Sequence, residues 1–416
     1  MTDAHSSRPS LQAALEALGA PCPPATIAEL AALIDTSMGG AARFYHHLPH
    51  AQMVADAADP LEVLTGLFHD LVQVGVDQGI PALVEAQLEG LIDSPTPLNF
   101  ALRDSPATRA DRIFNLVRST FRFAPGQTLS PFGGQNEFLT ALATAKSLSK
   151  VLDEPALLAI SLGIEATIPF RSEPDGFGTA ALGALEDINQ RFALGLSATD
   201  LQVMLRRAVR IANRDVRSFG EDDLIALLDD TWALMLESSA DLRRTEDASV
   251  CAYRQTLQRM TRFLGSLSAP LIFRRFEDEP AAPHFAGLMQ RGSRNLAEVA
   301  AIMQHKLLAT GLLEAAAGSA GARFAARRHA QVGQRSAASV APALLPVLGA
   351  GRDAPIEFDI RQSPLAHAIA LSMTPAEVKS LVDELDPATP IDPGLLARVP
   401  APIAAQAQRL SRAFSG

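Results

Sequence analysis

The chain has 416 residues, with 46 acidic side chains against 36 basic ones and a formal net charge of -10. That balance excludes a general nucleic-acid-binding surface, because affinity for a phosphate backbone comes from clustered Lys and Arg. Hydrophobic residues at 48% and charged residues at 20% supply a substantial core, enough for two or three compact units or one large helical domain.

Cys22 and Cys251 lie far apart and form no metal-binding spacing, so neither a disulfide framework nor a thiolate site is expected. The polar start, Met1 to Ser10, lacks the basic and apolar segments of a signal peptide, and no uninterrupted apolar run reaches membrane-spanning length. The expectation is a soluble cytoplasmic protein without a membrane partner.

Taken in chain order, apolar residues recur at three and four, as in Leu11, Leu15 and Leu18, or Ile27, Leu30, Leu33 and Ile34. Strand-like alternation is nearly absent, and the fold class expected is all-α. The spacing predicts helices over 10–19, 24–36, 47–58, 60–73, 81–92, 108–121, 135–151, 154–165, 176–192, 198–213, 221–237, 248–267 and 293–312. Segment 122–135 holds two prolines and three glycines and reads as a loop beside the following helix. Residues 315–340 are rich in Ala, Gly, Ser and Arg and read as a flexible linker, with Arg323, Arg327, Arg328 and Arg335 solvated. Helical periodicity returns after 363, giving a small C-terminal helical segment over 341–416. Trp232 reads as a packing anchor.

Chemistry concentrates in Arg43-Phe44-Tyr45-His46-His47-Leu48-Pro49-His50 and in Leu67-Phe68-His69-Asp70. With a helix from 47 onward, His46 and His50 lie about one turn apart and face one cavity. His69-Asp70 follows Val63, Leu64, Leu67 and Phe68, which would bury that helix face. An ionised Asp there is costly unless a cation offsets its charge. The alternative is that His69 caps or hydrogen-bonds a neighbouring helix, while Asp70 pairs with an arginine. The upstream histidines favour a divalent metal ion, since imidazole and carboxylate suit Mn, Fe, Co, Ni or Zn, with Mg also open. His47 should point elsewhere on the helix. Asp77 reads as a cap or surface acid, because Gly75 and Gly79 end the helix.

The Tyr-His-x-x-x-His and Phe-His-Asp elements resemble those of the HD superfamily, particularly its metal-dependent phosphohydrolases. The likeness extends through Asn136-Glu137-Phe138-Leu139-Thr140-Ala141, Ile164-Glu165-Ala166-Thr167 and Ala212-Asn213-Arg214-Asp215-Val216. It implies an HD-domain-like helical bundle over 40–220, preceded by a helical segment 1–39 and followed by a helical extension 221–314. It further implies His50, His69, Asp70 and Asp215 as metal ligands, His46 as the group that protonates a leaving oxygen, and Glu137 as an acid that orients water. Where related sequences place another histidine, this chain reads Thr167-Ile168-Pro169-Phe170-Arg171. Glu165 either replaces that ligand or is a structural acid paired with Arg171, so a two-metal centre is not expected. Arg43, Arg171 and Arg214 are candidate substrate contacts, since arginine grips phosphate oxygens through a two-donor fork.

The implied function is hydrolysis of a small phosphorylated substrate, a phosphomonoester or phosphodiester, with nucleotides among the candidates. The alternative is a catalytically inactive HD-like sensor or scaffold that binds a nucleotide. HD-type oxygenase chemistry ranks below both, because it needs a richer set of His and carboxylate ligands.

Overall fold

In the computed structural model of the chain, helix accounts for 69% and strand for 4% of the described residues. The structure describes residues 6–170, 178–243, 250–317, 363–385 and 391–414. The chain divides into two units, Met1–Arg217 with Ala269–Met289, and Ser218–Ser268 with Gln290–Gly416. Arg171 and residues 318–340 of the expected linker lie outside the described residues.

The first unit carries α1 (Arg8–Ala17), α2 (Pro24–Met38), α3 (Leu48–Val54), α4 (Pro60–Phe68), α5 (Val74–Asp77) and α6 (Ala82–Leu88). A hairpin of β1 (Ile92–Thr96) and β2 (Asn99–Leu102) follows. Then come α7 (Pro106–Ala110), α8 (Arg112–Thr120), α9 (Gln135–Leu148), α10 (Glu154–Ala166), α11 (Thr179–Phe192) and α12 (Ala198–Asp215). One apolar core joins these helices, from Leu11 and Leu15 through Leu64, Phe68, Phe138, Leu142 and Leu158 to Leu205 and Val209. The bundle therefore starts before residue 40, because α1 and α2 bury Leu11, Leu15, Ile34 and Met38 in the same core.

Helix starts follow local chemistry. Asp59 caps α4 by accepting from the Leu61 N–H at 2.9 Å, with Pro60 in the first turn. Ser197 and Asp200 form a reciprocal capping box at the start of α12. The helix expected over 108–121 is broken at Asp111, which is extended and caps α8 by accepting from Phe114 N–H. The expected 60–73 helix ends at Phe68, and the 47–58 helix spans Leu48–Val54.

The hairpin had no visible strand pattern in the sequence. β1 is almost wholly solvent-facing, and Phe100 and Leu102 of β2 alone are buried. Pairing, not alternation, makes it a sheet: the expected 122–135 loop runs alongside β2, with Leu102 N–H donating to Gln127 C=O at 2.9 Å and Leu129 N–H to Phe100 C=O at 2.8 Å.

Residues 269–289 return to the first unit. Phe276 enters its core. Asn213 of α12 donates to the Arg274 C=O and accepts from the Arg274 N–H, each at 2.8 Å. Arg210 pairs with Glu279 at 2.9 Å.

The second unit contains α13 (Leu224–Ser238), α14 (Ala240–Arg243) and α15 (Val250–Ser266), then the C-terminal part of α17 (Ala282–Ala317), whose first turns belong to the first unit after the short α16 (Ala269–Ile272). It ends with α18 (Pro364–Ser372), α19 (Pro375–Asp383) and α20 (Ala401–Phe414). Trp232 packs edge-on against Tyr253, with ring centroids 6.0 Å apart, in the anchoring role expected of it. Buried Arg254 pairs with Glu314 at 2.9 Å. The α17 segment Ala282–Ala316 is long and apolar enough by composition to cross a membrane, yet 67% of its most apolar window is buried in the protein. That burial is the behaviour of a core helix.

Candidate metal centre

Three stretches of chain converge on one point. His50 comes from α3, His69 and Asp70 from the end of α4, and Asp215 from the last residue of α12. Close helix packing makes this possible. A Cβ on Gly66 of α4 would lie 2.5 Å from Ala55 N, so glycine lets the end of α3 lie directly on α4. A Cβ on Gly163 of α10 would lie 2.8 Å from Thr65 and 2.9 Å from Ile211, so α10 wedges between α4 and α12 for the same reason.

Charge completes the assembly. Arg207 grips Asp59 at 2.6 Å, and Arg210 and Arg214 share the buried Glu62. These arginines, spaced along one face of α12, hold that helix on α4 and bring Asp215 opposite His69. Burial opposes ionisation of Asp59, but the Arg207 guanidinium outweighs it and holds the carboxyl below its ordinary value.

His50 Nε2 lies 2.9 Å from Asp215 Oδ1, and His69 Nε2 lies 2.9 Å from Asp70 Oδ2. The cross distances are 3.4 Å between His69 and Asp215 and 3.7 Å between His50 and Asp70. Ligand atoms of His50, His69 and Asp215 all fall within 4.8 Å of one another, a spacing at which they could hold a metal ion. His69 and Asp70 are buried, with 2% and 7% exposure.

Although 2.9 Å apart, His69 Nε2 and Asp70 Oδ2 have no aligned hydrogen-bond partner. Two buried polar atoms left this way need an explanation, and a cation between them supplies one. The surroundings fix which atoms point inward. His69 Nδ1 donates to the Gly66 C=O at 2.8 Å, leaving the Nε2 lone pair for a ligand. This bond stays within α4 and is not the bond to a neighbouring helix considered for His69. Among the described residues no arginine pairs with the Asp70 carboxylate; Arg43 instead donates to its backbone carbonyl at 2.7 Å. The donor set fits a first-row divalent cation.

The electrostatics follow from this packing. Burial disfavours the charged imidazole of His69, but the Asp70 and Asp215 carboxylates overcome it and raise its pKa well above the ordinary value. Burial likewise works against Asp215, yet His50 and His69 hold it well below the usual carboxylate range. Glu137, in the first turn of α9, is the reverse case. Burial, reinforced by the Asp70 and Asp215 charges against its own backbone N–H and His46, pushes it up to about 7.

His46 lies ahead of α3, not on it, because the helix starts at Leu48. Its ring meets His50 nearly perpendicularly at 6.3 Å between centroids. His47 is the N-cap of α3, with Nδ1 accepting from the His50 N–H at 3.3 Å. The Tyr45 ring lies 4.5 Å from that of His50.

Of the arginines expected at the substrate, Arg43 and Arg214 have other work. The Arg43 side chain is wholly buried; its fork pairs with Asp77 at 2.6 and 2.9 Å. It also donates to the carbonyls of His46, Asp70 and Leu71 at 3.0, 2.7 and 3.1 Å. Arg43 is a clasp joining the two motifs, and Asp77 is its counterion, not a surface acid. Arg214 is committed to Glu62 and the Val54 C=O. Glu165, expected either to replace a ligand or to pair with Arg171, pairs with Arg122 at 3.0 Å. Sequence reasoning missed Gln73, which donates to Asp70 Oδ1 at 2.9 Å; its place three residues beyond Asp70 was the available signal.

No family model matches the chain, and neither a curated protein nor a solved structure matches it.

Proposed function

We propose that this chain is a metal-dependent phosphohydrolase of the HD type, acting on a phosphomonoester or phosphodiester, with nucleotides the first class to test. One observation carries the reading: buried His50, His69 and Asp70 and half-buried Asp215 arrive from three stretches of chain at one point, where His69 Nε2 and Asp70 Oδ2 face each other without a hydrogen-bond partner. His50, His69, Asp70 and Asp215 would hold the cation. When bound there, a divalent cation makes water more acidic and screens phosphate charge.

The other residues supply proton chemistry. Glu137, pushed up to about 7, is matched to taking a proton from an attacking water near neutral pH. His46, beside His50, donates a proton to the departing oxygen. Arg43 and Arg214 take no part in gripping phosphate, because protein acceptors engage their guanidinium groups.

The test is elemental analysis of protein purified without chelator, followed by a phosphoester panel with Mn, Fe, Co, Ni, Zn and Mg. Bound metal and turnover, both lost in folded His69→Ala and Asp70→Ala variants, are the expected result. Metal binding without turnover on any phosphoester would leave the second reading, a nucleotide-binding sensor that no longer hydrolyses. Two features favour that reading: the missing histidine after Thr167, and the pairing of Glu165 with Arg122. Nucleotide-induced thermal stabilisation without product formation would then be its signature.

A further inference from the structure

The two oxygens of the Asp70 carboxylate are not equivalent. Oδ1 accepts from Gln73 Nε2 at 2.9 Å. Oδ2 lies 2.9 Å from His69 Nε2 and has no hydrogen-bond partner. Gln73, which makes this distinction, is itself constrained. The backbone N–H of Val74, at the start of α5, can only donate, and it donates to Asn136 Oδ1 at 3.1 Å. With its oxygen engaged, Asn136 turns Nδ2 toward Gln73 and donates to Oε1 at 2.9 Å. Gln73, its own oxygen occupied, has its NH2 left for Asp70. Flipping either amide would set donor against donor or acceptor against acceptor at both of its junctions, which costs more than the loss of one bond.

We infer that Asn136 and Gln73 form a polarity relay, running from the Val74 peptide N–H to Asp70, that makes Oδ2 the oxygen offered to a divalent cation. The inference rests on the metal centre proposed above and gives a task to Asn136, which lies on the neighbouring helix α9. Gln73 and Asn136 are positioning residues: Gln73 touches the carboxylate and Asn136 touches Gln73, and neither is placed to touch the ion. Outer partners of this kind typically change metal affinity about ten- to hundredfold when removed.

A double-mutant cycle tests the relay on the full chain, with Mn2+ and Zn2+ titrated separately by calorimetry and helix content checked by circular dichroism. Gln73→Met keeps the side chain's length but removes donor and acceptor; Asn136→Leu removes the link behind it. Each is expected to weaken metal binding about tenfold or more. The double variant should bind no more weakly than Gln73→Met alone, because Asn136 acts through Gln73. Additive losses, or single variants within about twofold of the unmodified chain, would overturn the relay while leaving the metal centre standing. An unmodified chain that takes up neither ion would remove the metal centre and the relay together. Gln73 is half-buried, so its variant reads the relay even where Asn136→Leu fails to fold.

Discussion

Arg43 shows how a single residue can be chemically apt for one role and structurally committed to another. Its planar fork suits phosphate, but that fork is spent on Asp77, and the remaining donors hold the carbonyls of His46, Asp70 and Leu71. Removing it leaves a carboxylate and three acceptors without their partner. Arg43→Ala should therefore lower stability by about 3–5 kcal/mol, read as a shift in the urea midpoint. A substrate-gripping arginine would instead raise KM with the midpoint unchanged. His69 makes a second prediction at this scale. Without metal its pKa lies well above the ordinary imidazole value, although burial opposes the charge, because Asp70 and Asp215 dominate. The His69 contribution to the metal-free fold is therefore full below the unfolded imidazole value and is lost as pH rises through the raised value. A metal needs the neutral ring, so uptake near neutral pH should release protons and weaken as pH falls. Calorimetry in buffers of differing ionisation enthalpy counts those protons.

Among the helices, contact distance decides whether the motifs meet. Gly66 is the tightest point between α3 and α4, where a Cβ would come within 2.5 Å of Ala55 N and 2.6 Å of its Cα. Those neighbours are backbone and cannot turn aside. Gly66→Ala is expected to cost about 1–3 kcal/mol through overpacking, and to weaken metal binding because His50 is carried away from His69. Metal affinity intact beside a lowered melting temperature would show that α3 does not set the site geometry. The helices themselves were legible: Asp59-Pro60 and Ser197 announce the starts of α4 and α12 by their capping chemistry. The ends were less so. Apolar Leu71 and Val72 continue the helical spacing past Phe68, yet Arg43 draws the Asp70 and Leu71 carbonyls out of the helix ladder. A hydrogen-bond partner 27 or 28 residues away leaves no trace in local spacing.

Across the whole chain, the first unit is discontinuous. It needs α1 and α2 before the motifs, and the stretch 269–289 after a long excursion. A chain ending at Arg217 would lose Phe276 from the core and the two hydrogen bonds between Asn213 and Arg274. The Phe276 side chain alone accounts for about 1.5–3 kcal/mol. Such a chain should melt at a lower temperature than the full protein and lose metal affinity, since Asn213 stands two residues before Asp215. Adding 269–289 back through a short linker should restore both; unchanged melting on truncation would show that the returning segment is not part of the fold's support.

The sequence by itself determined the all-α class, most helix positions, and which side chains, His50, His69, Asp70 and Asp215, are candidates for a shared site, because periodicity, capping and side-chain chemistry are local properties. Only the tertiary structure decided that Arg43 and Arg214 serve the scaffold, that Glu165 pairs with Arg122, that Gln73 and Asn136 stand behind Asp70, and that residues 269–289 belong with α12. Each of these depends on partners many residues away. An arginine, a carboxylate or an amide takes its role from whichever complementary group packing brings within hydrogen-bond reach.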